Sequence, residues 1–273
     1  MTETITDRLR RVTSRQNSLL KELRHAFTQA EPTDDGCIAI EGVHLLEEAL
    51  RSGLRLKAVF FAEFAQERAR KLMPQIAQHT ETLLVPDAAF RSAVTTETPQ
   101  GVAALVRLKT FRNDDVFDAP DPLLLAAAGV QNPGNLGTML RSAEAFGATA
   151  VVLAEGTAAA FNPKVSRASA GSLFRLPVFR MNSAELVAAM RQRGIRVAAT
   201  SSHKGVPLDE ADLCGPVAIF VGSEGAGVPK DVLASADQVI AIPHSSRVES
   251  LNAGIAASIV LYEAARQRRR GEG

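Results

Sequence analysis

The sequence predicts an α/β protein whose main domain is built on a parallel sheet, and three observations predict it. Apolar runs of strand length alternate with segments of helical period over most of the chain. Hydrophobic residues make up 46% of the 273 and charged residues 22%, enough to bury a full core. Three apolar runs in the second half, Leu123-Leu-Leu-Ala-Ala-Ala-Gly129, Val217-Ala-Ile-Phe-Val221 and Val239-Ile-Ala-Ile-Pro243, each empty into a loop rich in Gly, Asn, Ser, Glu and Arg. In an open parallel sheet the carboxyl ends of the strands face one crevice. Three polar loops there are expected to form a site.

From residue 14 to residue 107 the pattern gives a smaller α/β unit. Leu19, Leu20, Leu23 and Phe27 share one helical face, with Ser14 or Asn17 as its N-cap. A strand at Cys37–Ile40, a helix at His44–Leu50 and a strand at Leu56–Phe61 follow, then a helix near 64–78 and strands at Leu83–Val85 and Val102–Val106. Between Lys109 and Pro122 periodicity is lost and Asp and Pro accumulate, which predicts a linker. The expected division is 1–107, a linker over 108–121, and a second domain over 122–273.

In that second domain a helix is expected from Leu136 to Phe146, stopped by Gly147 in the left-handed conformation. A strand at Ala150–Leu153, a helix at Ala184–Arg193 and a strand at Arg196–Thr200 come next. After the strands at 217–221 and 239–243, a long helix from Leu251 to Arg268 closes the pattern.

Composition narrows the function classes. No apolar stretch reaches the ~18 to 20 residues that span a bilayer, and the first residues carry no signal-peptide core, so a cytoplasmic protein without membrane contact is expected. Cys37 and Cys214 lie far apart without metal-ligand spacing; two buried thiols and no bound metal are expected. The net charge of +1 is neutral on partners, but Arg8, Arg10, Arg11, Arg15, Lys21 and Arg24 at the start and Arg266, Arg268, Arg269 and Arg270 at the end offer cations to a polyanion.

The loops do not read as a dinucleotide or P-loop site. Gly222-Ser-Glu-Gly-Ala-Gly227 spaces its glycines as GxxGxG, no GxxxxGK[ST] occurs, and a buried Glu224 would repel a diphosphate, which disfavours a nucleotide-dependent oxidoreductase. The glycines are expected to let the backbone approach a flat or zwitterionic ligand. Asn135 in the loop and Arg141 in the following helix, Glu224 between glycines, and Ser250 and Asn252 at the start of the last helix are each ordinary caps or turn residues singly. Their joint occurrence at three strand ends makes them site candidates.

These segments resemble the three motifs of the SpoU/TrmH branch of the SPOUT RNA methyltransferases. The first is matched by Asn132-Pro-Gly-Asn-Leu-Gly-Thr-Met-Leu-Arg-Ser-Ala-Glu-Ala-Phe-Gly147, the second by Phe220-Val-Gly-Ser-Glu-Gly-Ala-Gly-Val228 and the third by Ile242-Pro-His-Ser-Ser-Arg-Val-Glu-Ser-Leu-Asn252. Upstream, Ser14–Leu23, Ile40–Leu50 and Thr98–Leu105 are similar to the L30e-like substrate-binding domain often fused ahead of this one.

The resemblance implies a catalytic domain with a deep trefoil knot, S-adenosylmethionine as cofactor, and methyl transfer to a ribose 2′-hydroxyl of RNA by a homodimer with its site near the interface. By motif position, cofactor contacts are expected around Thr200, Gly222, Ile242 and Leu251, and catalytic positions at Asn135, Arg141, Glu224, Ser250 and Asn252. Arg141 is the family's candidate base or activator. A guanidinium is a poor base, so stabilising the alkoxide or gripping a phosphate is at least as reasonable. Glu224 is expected to pair with a cation or to fix backbone donors, and His244, which departs from many relatives, to face solvent. Ribosomal RNA, 23S above all, is the implied substrate, with tRNA or a non-catalytic ribosome-associated RNA-binding factor as alternatives.

Overall fold

The computed structural model describes residues 8–12, 14, 16–202 and 204–271, with the side chains of 113, 270 and 271 excepted. Arg15 and the Arg270 side chain therefore lie outside the described residues. The chain forms two compact units, one of residues 1–109 with 159–174 and one of 110–158 with 175–273.

The first unit carries strands β1 (Leu9–Arg11), β2 (Cys37–Glu41), β3 (Arg55–Ala62), β4 (Glu81–Val85) and β5 (Val102–Arg107), with helices α1 (Ser18–Gln29), α2 (Val43–Arg51), α3 (Gln66–Leu72) and α4 (Asp87–Arg91). The sheet order is β1-β4-β3-β5-β2, with β1, β4 and β3 parallel and β5 antiparallel to both β3 and β2. Asn17 caps α1 by accepting the Leu20 N–H at 3.2 Å, and Leu20, Leu23 and Phe27 pack on Phe60, Leu83, Phe90 and Leu105 as the periodicity requires. The helix expected near 64–78 is only seven residues of α-helix between two 3₁₀ turns, since Pro74 cannot supply the N–H that a longer helix needs.

Strand β1 was not expected from its basic sequence. Its arginines suit an edge strand facing water, and they bond within the unit: Arg10 pairs with Glu81 at 3.2 Å, and Arg8 donates to the carbonyls of Ile76 and Ala77. These two cations of the amino-terminal cluster are thus engaged within the unit.

In the second unit α5 (Asn113–Phe117) lies inside the segment expected to be a featureless linker. Its Val116 and Phe117 are buried with Leu124, Leu186 and Phe220, so the hydrophobic pair, not the surrounding Asp and Pro, decides the local structure. Then come β6 (Leu123–Ala128), α6 (Pro133–Ala145) and β7 (Ala150–Leu153). Helix α6 ends as expected, with Gly147 at φ +76.

Here the chain enters the first unit, where α7 (Pro163–Ala168) packs on β2. Arg167 Nη1 donates to Thr96 Oγ1 at 3.2 Å, and Thr96 Oγ1 donates to Glu41 Oε2 at 2.8 Å. Burial raises the Glu41 carboxyl above its ordinary range, with Thr96 and Arg167 drawing it back. Gly171, at φ +90, stands so close to α2 that a Cβ would lie 2.8 Å from Glu48 Cβ. A chain cut at residue 107 would therefore leave 159–174 without its packing partner.

The second unit resumes with β8 (Val178–Arg180), α8 (Ser183–Gln192), β9 (Arg196–Ser201), β10 (Val206–Pro207), β11 (Val217–Gly222), α9 (Lys230–Ser235), β12 (Gln238–Ala241) and α10 (Ala253–Gly271). Its seven strands are all parallel, in the order β10-β12-β9-β11-β6-β7-β8. The near-continuous apolar runs of β6 and β11 are the mark of central strands buried on both faces. The carboxyl ends of β9, β11, β6 and β12 thus come together on one side of the sheet, where the polar loops begin.

The end of α10 is fixed by Arg268. Its guanidinium donates to Asp121 O at 2.8 Å, Asp121 Oδ2 at 3.1 Å and Leu213 O at 3.3 Å, and also to Gly215 O. Its side chain is only 15% exposed, so this cation is structural rather than offered to a polyanion. Arg266 is likewise occupied, by Glu263 at 2.6 Å. Arg268→Ala strands several carbonyls, and we expect a loss of about 2 to 4 kcal/mol in urea unfolding. A wild-type midpoint would show that α10 is held by packing alone.

Candidate active site

The loop after β11 folds back on itself. The Gly227 N–H donates to Ser223 O at 2.9 Å and the Ala226 N–H to Ser223 Oγ at 3.2 Å. A Cβ on Gly222 would stand 1.9 Å from Gly227 C and 2.1 Å from Val228 N. Gly222 is therefore required by the loop's own backbone, a reason for glycine at this position beyond the ligand approach expected for it. Glu224 is exposed at the tip, not buried as the sequence reading had it.

Helix α6 begins at Asn132, whose Oδ1 accepts the Gly134 N–H at 2.8 Å, and Pro133 opens its first turn. Asn135 consequently sits in the first helical turn rather than in the loop expected for it, because the helix starts at Pro133 and not at Leu136. Asn252 caps α10, its Oδ1 accepting the N–H groups of Gly254 at 3.0 Å and Ile255 at 3.2 Å. With its acceptor committed to the cap, the Asn252 amide donates to Asn135 Oδ1 at 2.9 Å and to Glu224 Oε1 at 2.5 Å. Asn135 Nδ2 donates to the same Glu224 oxygen at 2.9 Å. The three motifs are thereby joined in one triangle of hydrogen bonds. Glu224 takes two amides rather than the cation or backbone donors expected for it.

Behind this triangle lies a cavity of about 490 Å³, within the range of small-molecule sites. All four residues expected near a cofactor, Thr200, Gly222, Ile242 and Leu251, line it, as do Glu224 and Ser250. Val221, Leu233 and Ala256 add apolar wall, while Glu249 and Glu224 bring carboxylates to the lining. A cavity with both polar and apolar walls, edged by carboxylates, fits an organic cation.

Arg141 stands apart from this group. It is exposed, nearly two turns beyond Asn135 on α6, and makes no hydrogen bond or ion pair among the described residues. His244 is the residue that the sequence reading undervalued. It is half-buried, lines the cavity, and its Nδ1 lies 2.7 Å from Ile242 O. Its place within the third motif was the available signal. A second, more open hollow of about 560 Å³ shares Ser202, Ile242, His244 and Glu249 with the first. Of the two thiols, Cys37 is buried and Cys214 exposed, so the expectation of two buried thiols holds for one. No helix among the described residues is long and apolar enough to cross a membrane.

Fold and site together define an α/β protein with a cavity at the carboxyl ends of a parallel sheet, lined by the second and third sequence motifs, with the first motif tied to them through Asn135. Residues 122–262 match the SpoU rRNA Methylase family and residues 17–104 the MRM3-like substrate binding domain. The chain belongs to the SpoU rRNA methylase family. It is 35% identical over 254 residues to the 23S rRNA (guanosine(2553)-2'-O)-methyltransferase RlmP of Bacillus subtilis, covering 93% of this chain and 98% of that one. Among solved structures it resembles an RNA 2'-O ribose methyltransferase, with TM-score 0.76, 33% identity and coverage of 94% and 98%. An AdoMet-bound rRNA methyltransferase from Sinorhizobium meliloti is similar at TM-score 0.79 and 28% identity, with coverage of 95% and 98%.

The geometry of the Gly222 loop is open to test. Gly222→Ala must displace Gly227 and Val228 to make room, and we expect it to cost about 3 kcal/mol, read as a lowered Tm by scanning fluorimetry. An unchanged Tm would mean that the loop does not fold back as described.

Proposed function

We propose that the protein is an S-adenosylmethionine-dependent methyltransferase that modifies a ribose 2′-hydroxyl of RNA, that 23S ribosomal RNA is its substrate, and that it works in the cytoplasm. One observation carries this reading: the Asn135–Glu224–Asn252 triangle meets, through Glu224, a cavity lined by Thr200, Gly222, Ile242 and Leu251. Family membership and the similarity to a 23S rRNA 2'-O-methyltransferase support the reaction and the choice of RNA.

When bound, S-adenosylmethionine supplies a methyl group on a positively charged sulfur, which leaves as a neutral thioether. The residues present fit it: Ile242, Leu251, Val221 and Leu233 offer apolar wall, and the carboxylates of Glu224 and Glu249 favour a cation. Methyl transfer to a hydroxyl oxygen is an in-line displacement, so positioning supplies much of the rate. In this reading Asn135, Glu224 and Asn252 fix the motif loops relative to one another, and Ser250 holds the turn into α10. Arg141 stabilises the charge that develops on the 2′-oxygen as its proton leaves to solvent, and grips the adjacent phosphate.

Such a role needs a guanidinium free of other partners, and Arg141 makes no hydrogen bond or ion pair among the described residues. Its neighbours support a homodimer. Ile255, Ile259 and Tyr262 form an exposed stripe along α10 at 51%, 36% and 50% exposure, with Tyr262 set edge-on to Phe146 just beyond α6 at 5.7 Å. A second copy covering this stripe would bring the other protomer's site close to Arg141. A deep trefoil knot in the second domain, and domains bounded at 1–107 and 122–273, belong to the same reading.

The test is methyl transfer from S-adenosylmethionine into 23S RNA, with the 2′-O-methylated nucleotide identified by mass spectrometry. Arg141→Ala is expected to lower turnover at least ~100-fold and to leave the cofactor Kd, measured by titration calorimetry, within about twofold of wild type, because Arg141 is not among the residues lining the cavity. Near wild-type turnover in this variant would refute the role given to Arg141. No transfer by the wild-type protein to any RNA would refute the reading as a whole.

A further inference from the structure

At one pole of the first unit the carboxyl ends of β1, β4, β3 and β2 meet the amino end of β5. Four side chains, the half-buried Arg24 and the exposed Arg91, Phe64 and Arg68, run across it in a row. Arg24 of α1 donates from Nε to Ser92 O at 3.1 Å and from Nη2 to Ser92 Oγ at 3.2 Å. The preceding residue, Arg91, sets its guanidinium carbon 5.6 Å from the centre of the Phe64 ring. Phe64 lies in the turn after β3, with its N–H donated to Asp87 Oδ1 at 3.0 Å. One turn further on, Arg68 Nη1 donates to Gln100 O at 2.5 Å.

Two features separate this row from an ordinary solvated surface. The first is charge. Among the described residues Arg24, Arg68 and Arg91 have no carboxylate partner, whereas Arg10, Arg51, Arg193 and Arg196 are each ion-paired. Their bonds go to carbonyls, a hydroxyl and a ring, which orient the guanidinium groups without neutralising them. The nearby acids are not paired with them among the described residues: Asp87 accepts the Phe64 N–H, Glu67 faces Arg70 at 3.8 Å, and neither Glu63 at the start of the same turn nor Glu97 in the loop before β5 forms an ion pair with the three. The second feature is the aromatic ring. Phe64 is 43% exposed, yet its ring rests on Gly101, where a Cβ would stand 2.8 Å from Cε2 and Cζ. A glycine at φ +79 leaves the ring room to lie against the backbone, held in place but uncovered on its outer side except by Arg91.

We propose that this row binds an unpaired stretch of RNA, with one base stacked against the Phe64–Arg91 pair and the flanking phosphates held by Arg24 and Arg68. A fixed aromatic ring beside a guanidinium is a stacking platform for any base. The arginines on either side supply the phosphate contacts that such a strand needs. A duplex is excluded as the ligand of the ring, because paired bases keep their faces inside the stack. The inference rests on the reading of the protein as an RNA methyltransferase and adds where, and by what chemistry, the first unit takes hold of the RNA.

The test uses the full-length protein and two fluorescein-labelled probes, an unstructured RNA strand of about twelve nucleotides and a blunt RNA duplex of the same length, followed by anisotropy. Phe64→Ala is expected to weaken binding of the single strand about tenfold, with duplex binding changed less than about twofold, while Phe64→Tyr retains the wild-type affinity. Arg24→Ala combined with Arg68→Ala is expected to reduce the slope of log affinity against log salt for the single strand by about 1.4. Single-strand affinity of Phe64→Ala within about twofold of wild type overturns the proposal. So does an equal loss on strand and duplex, which would make the row a plain phosphate surface. Neither readout requires methyl transfer, so failure of the enzymatic reading is seen separately, as absence of transfer by the wild-type protein.

Discussion

The second unit depends on a single carboxylate oxygen, Glu224 Oε1, which accepts amide protons from both Asn135 and Asn252. The three residues come from the first turn of α6, the loop after β11 and the N-cap of α10, which are far apart in sequence and are brought together only by the parallel sheet. Each is also committed locally. Asn252 can donate to the other two only because its oxygen is occupied by the first N–H groups of α10, and Glu224 is presented at the tip of a loop that closes only with glycine at 222. An exposed hydrogen bond adds about 1 kcal/mol or less to stability. The value of the triangle lies in fixing the loops that line the cavity.

Much of this was legible in the sequence because the signals were strong where the sheet is central. The apolar runs of β6 and β11 could be nothing but doubly buried strands, and the glycine, asparagine and glutamate after them marked the site. The four residues expected around a cofactor all line one cavity, and three of the five catalytic candidates bond to each other. What escaped the sequence has physical causes. Strand β1 is polar because it lies at a sheet edge, where pairing is set by β4 rather than by its own composition. Helix α5 hides among Asp and Pro because two buried residues suffice to define it. Asn135 falls in a helix rather than in the loop expected for it because Pro133, read as a loop residue, is the first residue of that helix. Arg141 has no hydrogen bond or ion pair among the described residues, so no contact within the chain marks it as the first motif did.

The basic residues illustrate the same limit. Charge counting put Arg8, Arg10, Arg266 and Arg268 together as cations for a polyanion, yet their partners are backbone carbonyls and carboxylates of the fold itself. Arg24 alone of the terminal arginines singled out joins Arg68 and Arg91, which no count singled out, in a row without neutralising partners. Only geometry distinguishes an arginine that closes a helix from one left free to bind. The residues 159–174, which pack with the first unit while their neighbours in sequence build the second, are a further arrangement that periodicity could not express.

The cavity is lined by the second and third motifs, and the first motif is fastened to them at Glu224 and Asn252. A crystal structure of the protein with S-adenosylmethionine bound measures this most directly. The account predicts the ligand in contact with Thr200, Gly222, Ile242 and Leu251, with the Asn135–Glu224–Asn252 triangle intact beside it. A ligand seated elsewhere on the protein, or one whose entry separates these three side chains, would contradict it.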